Sequence, residues 1–118
     1  MDLQLNGKKA IVTGGSEGIG KAITLGLAQE GVDVAICARR KEPLEAAAKE
    51  IADATGRNIV PITADLTDTE QANAFIDGAV EALGGVDILV NNAGAAVGGV
   101  LEYLSDEQWE DALQLKFF

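Results

Sequence analysis

Histidine is absent from the 118 residues, cysteine occurs once, and aromatic residues make up 4%. Without histidine there is no imidazole to work as acid, base or metal ligand near neutral pH, and no other acid–base cluster takes its place. The single cysteine, Cys37, rules out an intramolecular disulfide; it lies in an apolar run and reads as a reduced core thiol, as expected of a cytoplasmic protein. So few rings leave a core of Val, Ile, Leu and Ala. Positive charge is also scarce: 9 basic residues against 19 acidic ones give a net charge of −10. A surface of that sign repels nucleic acid. The close basic clusters, Lys8-Lys9 and Arg39-Arg40-Lys41, are too short for a duplex-binding stripe but long enough to meet one phosphate. No apolar run approaches the ~20 residues of a membrane span. The first residues, Met1 to Leu5, lack the basic and apolar segments of a signal peptide. Neither a nucleic acid nor a membrane is an expected partner.

What is present is aliphatic and glycine-rich, with 47% hydrophobic residues and 14 glycines. Lys9 to Thr13 reads as a buried strand running into a glycine turn, and Gly18 to Glu30 as a helix stopped by Gly31. Val32 to Ala38 is a second strand. Pro43 to Ala54 is an alanine-rich helix, with Pro43 suited to its first turn. Ile59 to Ala64 is a third strand, Asp68 to Leu83 a third helix closed by Gly84-Gly85, and Val86 to Val90 a fourth strand. Crossovers between parallel strands are right-handed almost without exception. The alternation therefore predicts one α/β domain over residues 1–118: a doubly wound parallel sheet in three α/β/α layers, strand order 3-2-1-4. Ligands bind such sheets at the switch point between the first and fourth strands. A loop follows from Gly94 to Val100. A further helix is expected to start near Asp106, with Ser105 as N-cap and Gln108 as capping-box partner. No stop signal ends that helix before Lys116-Phe117-Phe118, so the domain is expected to be truncated within it, after four strands. The fourth strand would then be an open apolar edge, a template for self-association through Asp87 to Val90 or through the last helix.

The densest chemical signal is Thr13-Gly14-Gly15-Ser16-Glu17-Gly18-Ile19-Gly20, between the first strand and the first helix. Glycines allow a tight turn and close approach of a pyrophosphate, and the helix behind them offers unpaired N–H groups and the positive end of its dipole. A triphosphate-binding loop competes, since Gly15 to Lys21 satisfies G-x-x-x-x-G-K. Ala22 follows, however, where that motif places a magnesium-binding hydroxyl.

Thr13-Gly14-x-x-x-Gly18-x-Gly20, Asp65-Leu66 after the third strand, and Asn91-Asn92-Ala93-Gly94 after the fourth together resemble the short-chain dehydrogenase/reductase family. The resemblance covers essentially the whole chain and implies a Rossmann-type fold, a nicotinamide dinucleotide cofactor and hydride transfer between cofactor and an alcohol or carbonyl. It also implies site roles. Gly14, Ser16 and Ile19 would line the pyrophosphate and its ribose, in a cofactor loop that includes Glu17 and Gly18 and ends at Gly20, which would let the helix pack closely on the strand. Asp65 would accept from the adenine amino group, helped by the Leu66 backbone, although Asp65 also reads as the N-cap of a following turn. Asn91 would reach toward the ribose next to nicotinamide, and Ala93 and Gly94 would let the cofactor lie flat. Asn92 reads as structural.

Cofactor choice follows from an absence. NAD-binding domains place an acid near the end of the second strand for the ribose 2′-hydroxyl. Here the stretch is Cys37-Ala38-Arg39-Arg40. Arginines suit a 2′-phosphate, so NADP is favoured over NAD, with Glu17 a mild objection. The family's catalytic Tyr-x-x-x-Lys is missing. The one tyrosine, Tyr103, is followed four residues on by Glu107, and Lys116 stands seven residues after Trp109, where the family commonly has Asn. No catalytic residue and no metal ligand is therefore assigned. Two functional readings remain: the cofactor-binding portion of an oxidoreductase, inactive alone, or a nucleotide-binding or self-associating interaction module. A homo-oligomer is expected on either reading.

Overall fold

The computed structural model describes residues 5–14, 16, 18–90, 92 and 116–117. The elements run β1 (Lys9–Thr13), α1 (Gly18–Gln29), β2 (Asp33–Ala38), α2 (Lys41–Thr55), β3 (Ile59–Thr63), α3 (Thr69–Leu83), β4 (Ile88–Val90) and β5 (Lys116–Phe117). All strand pairs are parallel, in the order β3-β2-β1-β4-β5. The order of the first four is the one expected from right-handed crossovers.

Alternation along the strands builds the three layers, because successive side chains leave a strand on opposite faces. Ala10, Val12, Val34, Ile36, Ile88 and Val90 face one way and pack with Ala28 of α1 and with Leu44, Ala48 and Ile51 of α2. Ile11, Ala35, Cys37 and Leu89 face the other way and pack with Phe75, Ile76, Ala79 and Leu83 of α3. Each helix presents one apolar stripe at the 3.6-residue period: Leu44, Ala47, Ala48 and Ile51 on α2, and Ala72, Phe75, Ile76, Ala79 and Leu83 on α3. The stripe on α1 is made of small residues, Gly20, Thr24 and Ala28, so this helix lies close to the sheet. The buried Thr24 hydroxyl donates to the Gly20 carbonyl at 2.8 Å, which removes the cost of burying it.

The amino ends of the strands are tied by charge. Asp33, only 8% exposed, accepts from Lys9 Nζ at 2.5 Å, Arg57 Nε at 3.2 Å and the Asn58 amide at 3.0 Å. Asp87 accepts from the Lys9 amide at 2.9 Å. Burial pushes the Asp33 carboxyl up, but the Lys9 and Asn58 hydrogen bonds and the charges of Lys9 and Arg57 outweigh it and hold the group below its ordinary value of 3.8.

One sheet edge differs from expectation. Lys116–Phe117 is a strand rather than the continuation of a helix, and it pairs with Ile88 and Leu89. The fourth strand is therefore not the last, and its outer edge is not open at those two residues. The cause is tertiary: an unsatisfied edge recruits backbone whatever the local pattern. The helix expected near Asp106 lies outside the described residues. At the other edge, β3 carries an exposed proline, Pro61, which has no N–H to offer a further strand.

Candidate functional site

The carboxyl ends of β1, β2 and β3 open onto a cavity of about 410 Å³ lined by Gly14, Cys37, Ala38, Arg39, Ala64, Asp65, Leu66 and Thr67. Three loops contribute because parallel strands all end on the same side. The loop after β1 begins at Gly14, whose φ of +68° lies in the left-handed region that glycine adopts without strain. Its amide extends the β1–β2 pairing by donating to the Cys37 carbonyl at 2.8 Å. The same turn is pinned from behind. A Cβ at Gly20 would lie 2.0 Å from the Gly14 carbonyl oxygen, so the first turn of α1 touches the loop backbone directly. Asn92, after β4, braces both parts: its amide donates to Thr13 Oγ1 at 3.0 Å and its Nδ2 to the Gly14 carbonyl at 3.3 Å.

The first four N–H groups of a helix have no partner within it, and those of α1 adjoin this loop. Ile19 is 71% exposed there, an uncovered apolar side chain beside a polar cradle. Ser16 is half-buried in the loop and Gly18 opens the helix.

The far wall is the loop from β3 to α3. Asp65 Oδ1 accepts from the Thr67 amide at 3.0 Å and the Thr67 hydroxyl at 2.7 Å. These two bonds, in that order of hydroxyl then amide, hold the Asp65 carboxyl below its ordinary value, with Arg39 adding a favourable charge. Asp65 thus closes a short turn, while Asp68 is the true N-cap of α3, accepting from the Glu70 and Gln71 amides. Leu66 packs into the α3-side core, which fixes the turn from below.

Of the residues singled out in the sequence, Gly14, Arg39, Asp65 and Leu66 line one cavity. Ser16, Gly18, Ile19 and Gly20 form the adjoining loop and helix start. Arg40 does not line the cavity; it is exposed and serves through its backbone as the N-cap position of α2, with no side-chain cap bond. Glu17, Asn91, Ala93 and Gly94 lie outside the described residues. Sequence reasoning missed Cys37, Ala38, Ala64 and Thr67 as lining residues. Cys37 was legible only as core, and burial indeed pushes its thiol up to about 12, with the Asp65 charge adding to the effect. Together these groups can enclose a flat ring between apolar walls, accept from it at Asp65, and meet an anion at Arg39. Among the described residues no group of three metal-ligating side chains occurs, and no helix is long and apolar enough to cross a membrane.

Residues 8–118 match the family model described as short chain dehydrogenase. A 3-oxoacyl-[acyl-carrier-protein] reductase, FabG, of Staphylococcus aureus is 40% identical over 107 residues, covering 90% of this chain and 43% of the reductase. An NAD+-bound xylitol dehydrogenase structure superposes with a TM-score of 0.86 at 26% identity, over 97% of this chain and 53% of the dehydrogenase. A short chain dehydrogenase from Burkholderia cenocepacia, in complex with NADP, is 48% identical with a TM-score of 0.71, over 76% of this chain and 37% of the other. The chain thus spans about half, or less, of the length of these relatives.

Proposed function

The chain belongs to the short chain dehydrogenase family, and from that premise we propose that it is the cofactor-binding portion of an oxidoreductase acting on an alcohol or carbonyl. The observation that carries this reading is the cavity in which Gly14, Arg39, Asp65 and Leu66 meet. Its chemistry fits the adenosine end of a nicotinamide dinucleotide. The Asp65 carboxylate, kept ionised by Thr67, would accept from the adenine amino group. Arg39 would pair with a ribose 2′-phosphate, and no acid lines the cavity on the β2 side to select a 2′-hydroxyl. Gly14, Ser16, Gly18, Ile19 and Gly20 would hold the pyrophosphate, where the closeness of Gly20 to Gly14 leaves backbone rather than side chain facing the ligand. Glu17, Asn91, Ala93 and Gly94 belong to the same proposal on the family motif alone, and Arg40 on its charge beside Arg39. When bound, the nicotinamide supplies the hydride donor or acceptor; this chain's residues bind and orient it. Lacking Tyr-x-x-x-Lys, the 118 residues alone are proposed to bind without turnover.

The test is titration of the chain with NADPH and NADH, followed by nicotinamide fluorescence. NADPH should bind about 10-fold or more tightly than NADH, and Arg39→Ala should remove most of that margin, on the scale of one charge-assisted pair. Failure to bind either dinucleotide refutes the reading, and equal affinities refute the NADP preference. Sustained reduction of any carbonyl by the purified chain refutes the proposed inactivity. A homo-oligomer and a cytoplasmic location complete the proposal, the latter supported by the free thiol of Cys37. For association by strand addition, β5 covers Ile88 and Leu89 of β4 and is itself the edge of the described sheet, while Pro61 weakens pairing at β3. Sedimentation with and without NADPH would show whether the chain associates.

A further inference from the structure

We propose that Gln71, in the first turn of α3, is a positioning residue that aims the Asp65 carboxylate and so sets the preference for an amino-substituted purine. The inference rests on the proposed function of the cavity and deepens it. Asp65 lies between β3 and α3, in a loop that could swing its side chain away from the cavity. Two anchors oppose this. The half-buried Leu66 packs against the core, and the Asp65 amide donates to Gln71 Oε1 at 2.8 Å. Gln71 is itself held at both ends. Its backbone amide donates to Asp68 Oδ1 at 3.3 Å, and its Nε2 donates to Asp68 Oδ2 at 3.4 Å. The Asp68 amide in turn donates to the Asp65 carbonyl at 3.1 Å. A ring of bonds therefore runs from the Asp65 amide through Gln71 and Asp68 back to the Asp65 carbonyl. A side-chain amide suits this position because it accepts at one end and donates at the other.

The consequence concerns one oxygen. Both Thr67 bonds use Asp65 Oδ1, and among the described residues none uses Oδ2. A carboxylate can only accept, so Oδ2 rewards an exocyclic amino group and penalises a ring that presents a carbonyl there. Gln71 touches no ligand; it acts by fixing the backbone from which that oxygen projects. Loss of it should reduce discrimination between purines rather than abolish binding, because the pyrophosphate loop and Arg39 are separate.

The full 118-residue chain and its variants are to be titrated with NADPH and with the reduced hypoxanthine analogue, which carries an oxo group in place of the amino group. The wild type should prefer NADPH, and Asp65→Ala should lose that preference and set its full size. Gln71→Ala should reduce the ratio about 3- to 10-fold, as expected for one hydrogen bond. Hydrogen exchange at the Asp65 amide should accelerate in Gln71→Ala. A wild-type ratio in Gln71→Ala or Asp65→Ala, or unchanged exchange at the Asp65 amide, overturns the proposal. If the wild type binds neither dinucleotide, the function proposed for the cavity falls with it; if it binds both and only the variants disagree, this inference alone falls.

Discussion

Adding one methyl group at Gly20 and one at Gly26 should change stability in opposite directions, although both glycines lie in α1. In an exposed helix, Gly→Ala stabilises by about 0.5–1 kcal/mol, because alanine has less backbone freedom to lose. Gly26 meets that condition, with no atom within 4 Å of its would-be Cβ. At Gly20 the same methyl would sit 2.0 Å from the Gly14 carbonyl oxygen, 2.8 Å from the Gly14 carbonyl carbon and 2.8 Å from Asn92 Nδ2. Restoring an ordinary separation of about 3.5 Å requires a shift of about 1.5 Å between the helix and the loop. Asn92 can rotate away, but the Gly14 backbone is fixed by its bond to the Cys37 carbonyl. Overpacking of this kind costs about 1–3 kcal/mol, more than the helix propensity returns. Gly26→Ala should therefore raise the urea midpoint and Gly20→Ala lower it, by about 1–2 kcal/mol net in the second case. NADPH titration of the same proteins should show lost affinity only for Gly20→Ala. Equal midpoints for the two variants, or a stabilised Gly20→Ala, would refute the claim that this glycine exists for close approach.

Three further outcomes follow from the same geometry. Asp33→Asn should lower stability by about 1–3 kcal/mol at pH 7, a range discounted for the partly exposed Lys9 and Arg57; because the folded carboxyl titrates below its ordinary value, this contribution is complete above about pH 5 and is lost as pH falls through the folded value, so the gap between the variant and wild-type unfolding curves should narrow as pH falls from 7 into acid, and a gap that stays constant or widens would contradict the assignment. Cys37 should resist alkylation by iodoacetamide at pH 8 in the folded chain and react once urea unfolds it, since burial has moved the thiol up to about 12; rapid labelling of the native chain would show that the cavity exposes the sulfur. Asp68→Ala should cost about 1 kcal/mol through loss of the N-cap bonds to the Glu70 and Gln71 amides, measured by chemical denaturation, and an unchanged midpoint would remove Asp68 as the cap.

The layers were readable from the sequence because alternation in short aliphatic strands and a 3.6-residue stripe in each helix leave little choice of face. What escaped reading depended on contacts distant in sequence or on adjacent residues with similar side chains. Arg39 and Arg40 look equivalent as a basic pair, yet consecutive residues leaving a strand diverge. The signal that separates them is Pro43: a proline belongs in the first turn of a helix, which places the cap of α2 near residue 40 and leaves Arg39 for the cavity. Gln71 carries no motif; its role exists only because α3 turns back toward β3. Strand β5 was misread as helix because the absence of a stop signal was taken as continuation, whereas pairing with β4 is decided across the fold.

The distribution of charge across the sheet explains why the cavity lies at one end and stability at the other. At the amino ends, the Asp33 carboxylate pairs with Lys9 and Arg57, and the Asp87 carboxylate accepts from the Lys9 amide. At the carboxyl ends, Arg39 is exposed and, among the described residues, forms no ion pair, and the Asp65 carboxylate bonds only through Oδ1. In a chain with a net charge of −10, a cation that stays near the mouth of a cavity without pairing draws an anion to that one place. The ordering also separates the two kinds of mutant: changes at Asp33 should alter stability and leave dinucleotide affinity intact, whereas changes at Arg39 should do the reverse. A stability loss in Arg39→Ala as large as that in Asp33→Asn would show that this division does not hold.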